Sequence, residues 1–243
     1  MSVHEEVYKN HRIRVEYDNY CENPFEEWDW PEGLAIVHTS RNTISILDGE
    51  LSADEFSTMV EDTETHFIEQ YGEDVRIQPQ EDDTWLFCTD DSEIFRSSTM
   101  LTEEEAWEEA CKEFDIPCEA DYYWLPVYKY DHSGVAYNTT GFTSRWDSGQ
   151  VGYIYINKTD AAKEWKTGED AYKFMRSAIK ILSDFASGNC WGYVVEKEVS
   201  CSCGEHSEWV EVDSCWEFIG DMNYCLDEAK AYVDAVTSEG AAV

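Results

Sequence analysis

Fifty-three acidic residues against seventeen basic ones leave this 243-residue chain with a formal net charge of −36. No other feature limits its fold so tightly. An ionised carboxylate is not buried without a partner, and partners are scarce here. The acids must therefore decorate the outer faces of amphipathic elements. The chain can still build a core: 42% of its residues are hydrophobic and 14% aromatic, which places it among globular rather than disordered proteins. The acids are also unevenly spread. Residues 51–120 hold 22 acids and 3 bases, against 11 and 4 in residues 1–50 and 20 and 10 in residues 121–243.

Such a field repels phosphates and excludes ordinary DNA or RNA binding. It attracts basic proteins, including the surfaces with which nucleic-acid enzymes hold DNA. Three origins of the excess differ in consequence: a merely solubilising surface, adaptation to high salt in a viral protein, or carboxylates that imitate phosphates. Lysine (10) is not displaced by arginine (7), and nine cysteines with ten tryptophans are unusual for a salt-adapted chain. Concentration of acid in one region is what mimicry would produce. No apolar run approaches a membrane span, and the start, "MSVHEEVYKNHRIRVEYD", lacks a signal-peptide core. A cytoplasmic location follows as the expectation, with the nine cysteines mostly free thiols.

Along the chain, "HRIRVEY" (His11–Tyr17) alternates as a strand does, and "LAIVHT" and "TISIL" suggest two more. Ser52 with Glu55 forms a capping box for a helix running to about Tyr71. "TWLFC" predicts a strand, and Thr102 with Glu105 caps a second acidic helix that projects Glu103, Glu104, Glu108, Glu109 and Glu113. "YYWLPVYKY" and "VGYIYINK" predict strands, with Pro126 requiring an edge or a bulge in the first. A helical region interrupted near Gly168 runs to Gly188. A hairpin tipped by "SCSCGEHS" and a last helix from Met222 to about Val236 follow. The fold class expected is α+β: an antiparallel sheet with helices packed on it and an acidic, mainly helical insertion. Residues 1–50 would add strands to the main sheet, 51–120 form the acidic subdomain, and 121–243 make the core domain with its hairpin and helix.

Four groups of residues carry candidate chemistry. The stretch "YDHSGVAYNTTGFTSRWDSGQVGYIYINK" collects Asp131, His132 and Asp147. With Cys215 these residues outline a small hydrolase or metal-dependent enzyme. Against that, Asp131 and Ser133 suit a turn, the glycines suit close backbone approach, and the spacing fits no nucleophile elbow. Cys201, Cys203 and His206 at the hairpin tip are zinc-ligand types, but Cys-x-Cys is not the Cys-x₂-Cys of a knuckle. Structural zinc is thus the alternative to free thiols there, and no other cofactor is expected. The acidic region offers Asp54, Glu61, Asp62, Glu69, Asp82, Asp83, Asp90, Asp91, Glu104, Glu105, Glu108 and Glu109 as a partner-binding face. A duplex carries a charge about every 1.7 Å of axis, and carboxylates on successive helical turns approach that density. A solvated helical surface is the plainer alternative. Finally, "DYYWLPVYKY" would stack bases in a basic protein, but this charge leaves it to the core or a protein-binding patch.

The phrases "LPVYKYDHSGVAYNTTGF", "WDSGQVGYIYINK", "GYVVE…VDSCWEFIG" and "YCLDEA" resemble a widespread family of bacteriophage and plasmid proteins of uncharacterised activity. The loop Glu22-Asn23-Pro24-Phe25-Glu26-Glu27-Trp28-Asp29 is similar, with an insertion, to that family's "ENP-x-EWD" phrase. The resemblance covers the second half of the chain and part of the N-terminal loop, but not the segment from about Ser52 to Glu119. It implies a mobile-element accessory gene expressed in a prokaryotic cytoplasm, and no particular reaction. Together these features favour a non-enzymatic accessory protein. It would bind a basic host protein, a nucleic-acid-binding or defence enzyme, as a DNA mimic inhibiting it, without touching nucleic acid or membrane itself.

Overall fold

Three antiparallel sheets and seven helices make an α+β protein in the computed structural model, which describes residues 2–38, 46–200 and 207–239. The chain begins with β1 (Ser2–Tyr8), β2 (His11–Tyr17), α1 (Pro24–Glu27) and β3 (Ala35–His38). Then come α2 (Ala53–Glu61), α3 (Thr63–Tyr71), β4 (Arg76–Pro79), β5 (Trp85–Cys88), β6 (Glu93–Arg96) and α4 (Glu103–Glu113). The second half runs β7 (Tyr122–Asp131), β8 (Val135–Asn138), β9 (Ser148–Asn157), α5 (Lys158–Glu164) and α6 (Gly168–Ala186). It closes with β10 (Cys190–Ser200), β11 (Ser207–Ile219) and α7 (Met222–Glu239).

The first sheet has the order β1-β2-β10-β11. Lys9 and Asn10, both at positive φ, make the two-residue turn of its first hairpin, whose twist matches that of the strands. Alternation in β2 sends Ile13 and Val15 inward, where they join Trp191, Tyr193 and Val195 of β10 under Cys225, Leu226, Ala229 and Val233 of α7. The opposite face carries Arg12 and Arg14, both bonded to Glu196. That carboxylate is buried, and Arg12 at 2.6 Å, with Arg14 beside it, holds it below its ordinary pKa.

The second sheet, β3-β9-β7-β8, is covered on both faces, which explains the unbroken apolar run of β9. Ile154 and Ile156 face α5 and α6 with Met175, Ile179 and Leu182. Tyr153 and Tyr155 face the other way, against Phe56 of α2, whose ring stacks on Tyr155 at 4.2 Å. The Tyr155 hydroxyl donates to the Leu51 carbonyl at 2.7 Å and accepts from the Leu51 amide at 3.0 Å, fixing the entry to α2. Pro126 pairs with Tyr153 of β9 but lies beyond the reach of β8, which begins pairing at Tyr128, and a register shift follows at Val127/Tyr128. Its missing amide therefore breaks no ladder bond on that side.

The acidic segment differs from the expected outline in two respects. The helix from Ser52 does not continue to Tyr71: it stops at Glu61, and Asp62 caps a new helix by accepting from the Thr65 amide at 3.0 Å. An aspartate three residues before a threonine competes with the helical backbone for that amide. The segment also contains a sheet of its own, β4-β5-β6, of which only β5 was legible in the sequence. Phe87 of that sheet, Phe67 of α3 and Trp107 and Cys111 of α4 form a separate core. Of "TISIL", residues 43–45 lie outside the described residues; Leu47 accepts from the Ile36 amide at 3.0 Å, beside β3.

Candidate functional site

The acidic face is assembled from three capped helices and the two hairpin turns of the small sheet. The hydroxyls of Ser52 and Thr102 accept the amides of Glu55 and Glu105, and each glutamate returns a bond to its cap residue. Burial of Phe56 and Met59 on α2, and of Ala106, Trp107 and Ala110 on α4, turns the intervening acids outward. Asp54, Glu61, Asp62, Glu69, Asp82, Asp83, Asp90, Asp91, Glu104 and Glu105 are exposed, and Glu108 and Glu109 are half-buried.

These twelve carboxylates do different work. Asp62 caps α3, and Glu105 closes the capping box of α4; the Thr65 and Thr102 amides hold both below their ordinary pKa values. Asp82 is lowered by the Thr84 hydroxyl at 2.6 Å, and Arg96 stands 3.8 Å away. Asp90 pairs with Arg76 at 2.8 Å. Glu109 clamps the Ser98 amide and hydroxyl at 2.7 and 2.5 Å, and Glu61 accepts from the Tyr153 hydroxyl at 3.0 Å. Asp54, Glu69, Asp83, Asp91, Glu104 and Glu108 make no ion pair among the described residues.

Where α2, α3 and α4 meet, the charges converge. A groove of about 300 Å³ is lined by Val60, Glu61, Thr63, Glu64, Glu103, Glu104 and Trp107. Four of its seven lining residues are glutamates and none is basic. Trp107 is buried, and its indole N–H has no hydrogen-bond partner among the described residues. Glu64 and Glu103 line the groove without belonging to the twelve partner-binding residues expected from the sequence, although Glu103 was expected to project from its helix. The break at Asp62 separates α3 from α2, and Glu64 of α3 and Glu103 of α4 line the groove beside Glu61 and Glu104.

The residues of the possible hydrolase separate into two places. Asp131, His132 and Asp147 meet at the end of the β7–β8 hairpin. His132 Nδ1 is 3.4 Å from Asp147 Oδ1, the Asp131 amide donates to the Asp147 carbonyl at 2.9 Å, and Asp131 pairs with Lys129 at 2.8 Å. The Ser144 hydroxyl donates to Asp147 at 2.8 Å. The carboxylate thus stands between hydroxyl and imidazole, whereas a triad needs the imidazole between them. Cys215 is elsewhere: it lies on β11 in the first sheet, across from Tyr193, exposed, with its thiol toward the Trp216 carbonyl. The turn chemistry of this stretch is explicit. Ser133 takes a positive φ of 55°, and the Asn138 side-chain oxygen accepts from the Thr140 and Gly141 amides at 3.1 and 2.7 Å.

The hairpin tip with Cys201, Cys203 and His206 lies outside the described residues. Among the described residues no group of three or more His, Cys, Asp or Glu side chains is arranged to hold a metal ion, and no helix is long and apolar enough to cross a membrane. His38 is a further residue with buried polar atoms. Both ring nitrogens of His38 are buried without a partner among the described residues, and burial, with the Lys129 charge second, pulls its pKa down to about 4. A single histidine at a strand end carries no sequence signal of this kind. No protein-family model, curated protein or solved structure matches the chain.

Proposed function

We propose that this chain is a non-enzymatic, phage-type accessory protein that binds a basic surface of another protein through the acidic face of residues 51–120. The surface it fits is one that otherwise holds DNA, on a host nucleic-acid or defence enzyme, and occupying it inhibits that enzyme. The observation carrying this reading is the groove between α2, α3 and α4, where four glutamates converge with no base to neutralise them. Like charges set this close repel one another, and a cationic partner relieves that repulsion. Hydrogen bonds from amides and hydroxyls keep the flanking Asp62, Asp82 and Glu105 ionised to lower pH than free carboxylates.

The test starts from a partner captured from a prokaryotic lysate and then purified. Its affinity for this protein is measured at low and high salt and in the presence of duplex DNA. The expected result is a fall of at least about tenfold from 50 to 500 mM salt, with DNA competing. Glu64→Gln/Glu104→Gln should weaken binding without changing the melting temperature. Salt-insensitive binding, or binding unaffected by DNA, would refute the mimicry.

A further inference from the structure

A second cavity, of about 480 Å³, lies on other elements: the end of β2, the loop after it, and β11. It is lined by Glu16, Tyr17, Asp18, Asn19, Tyr20, Trp216 and Glu217. Three of these are aromatic and unusually open to solvent, with Tyr17 50%, Tyr20 92% and Trp216 41% exposed. Three more are acidic, and none is basic.

The walls are built by specific local structure. Trp191 pairs with Phe218 and Tyr193 with Cys215, so Trp216 and Glu217 together oppose the single residue Gly192, which is a β-bulge. Glu217 sits at φ 68°, a left-handed conformation uncommon for a residue with a side chain. The Trp216 ring lies directly over Gly192, where an added Cβ would come within 2.0 Å of it. Asp18 then ties the two walls together. One of its oxygens accepts the Glu217 amide at 3.1 Å and the other the Tyr20 amide at 2.9 Å, while its own amide donates to the Cys190 carbonyl at 2.9 Å. Tyr17 is held by stacking on Trp191 at 4.5 Å. Glu16 is paired with Arg14, which leaves Glu217 as a carboxylate with no ion-pair partner among the described residues.

From this arrangement we infer that the cavity binds an organic ammonium group, with the rings of Tyr17, Tyr20 and Trp216 supplying π-faces and Glu217 the counter-charge. Aromatic faces attract cations through the ring quadrupole, and quaternary ammonium ions, shedding water most readily, gain most. An anionic ligand would meet three carboxylates, and a neutral one would gain nothing from the charge of Glu217. This inference is independent of the function proposed for the acidic face.

The experiment compares choline with its neutral isostere, 3,3-dimethylbutan-1-ol, by calorimetry and by the chemical shifts of the tryptophan indole N–H groups, using the full chain. Choline is expected to bind at least about tenfold more tightly than the alcohol and to shift the Trp216 indole signal, assigned with Trp216→Phe. Tyr20→Ala and Glu217→Gln should each weaken choline by about three- to tenfold; both side chains are exposed, so unchanged melting temperatures will show that the fold persists. A trimethyllysine heptapeptide distinguishes the source. Tighter binding than choline assigns the cation to a protein partner, and equal or weaker binding assigns it to a free small molecule. Equal affinity for choline and the alcohol, or no choline binding at about 10 mM, would overturn the assignment.

Discussion

His38 makes the stability of this protein depend on pH in a way that its carboxylates do not. The imidazole closes β3, packs edge-on to Tyr137 at 6.1 Å, and offers two buried nitrogens to no partner among the described residues. Its pKa falls to about 4, chiefly by burial and secondarily through Lys129, against an unfolded value near 6.5. The unfolded chain therefore binds more protons between these values, and stability falls as pH drops through that window. At about pH 5, some 1.5 units below the unfolded value, linkage puts the loss at about 2 kcal/mol as a ceiling. The perturbation is His38→Leu, which removes the titration while leaving an apolar group where no hydrogen bond among the described residues is lost. Urea unfolding of both proteins at about pH 7.5, 6.5 and 5 gives the difference directly. The variant should gain about 1–2 kcal/mol on the parent across that range. Relief of the general carboxylate repulsion as acids protonate acts on both proteins and cancels. Parallel stability curves would mean that His38 titrates in the folded protein as it does in the unfolded one, and the burial reasoning would fail.

Two further outcomes follow from the same structure. Glu196→Gln leaves the partly exposed Arg12 and Arg14 without their shared carboxylate and should cost about 1–3 kcal/mol at neutral pH, between an exposed pair and a buried one. Because the Glu196 pKa is lowered when folded, that deficit should shrink as pH falls through the folded value; a pH-independent deficit would assign the loss to packing instead. A brief maleimide pulse followed by peptide mapping should label the exposed Cys215 and spare Cys111 and Cys225, whose thiols burial pushes up to about 12. Equal labelling of the three would contradict the buried positions of the latter two.

Elements whose residues satisfy local rules were legible in the sequence. The alternation of His11–Tyr17 and the two capping boxes predict a strand and two helix starts that the structure reproduces at the same residues. The pairing of strands was not legible. β2 joins β10, far along the chain, and the first and second sheets separate because α7 covers one and α5 and α6 cover the other. Such choices depend on which apolar faces meet in three dimensions, and period alone does not encode that. The ends of short elements were hidden for a related reason. Asp62 reads equally well as a surface acid within one helix and as the cap of the next, and only the docking of Phe67 with Trp107 at 5.3 Å decides between them. The ammonium cavity was invisible because its parts, Tyr17 to Tyr20 and Trp216 to Glu217, are brought together by a bulge whose sole trace in the sequence is Gly192.

The acids of residues 51–120 look equivalent in the sequence. The structure divides them. Asp62, Glu105 and Glu109 satisfy backbone amides, and replacing them would loosen the segment before it tested any partner. Asp90 is balanced by Arg76. The carboxylates with no ion pair among the described residues include Asp54, Glu69, Asp83 and Asp91, and Glu64, Glu103 and Glu104 of the groove. A charge-reversal scan of the whole face would thus mix unfolding with lost binding. Isosteric Glu→Gln changes confined to Glu64, Glu103 and Glu104 separate the two effects, since these side chains line the groove while the caps and clamps stay intact.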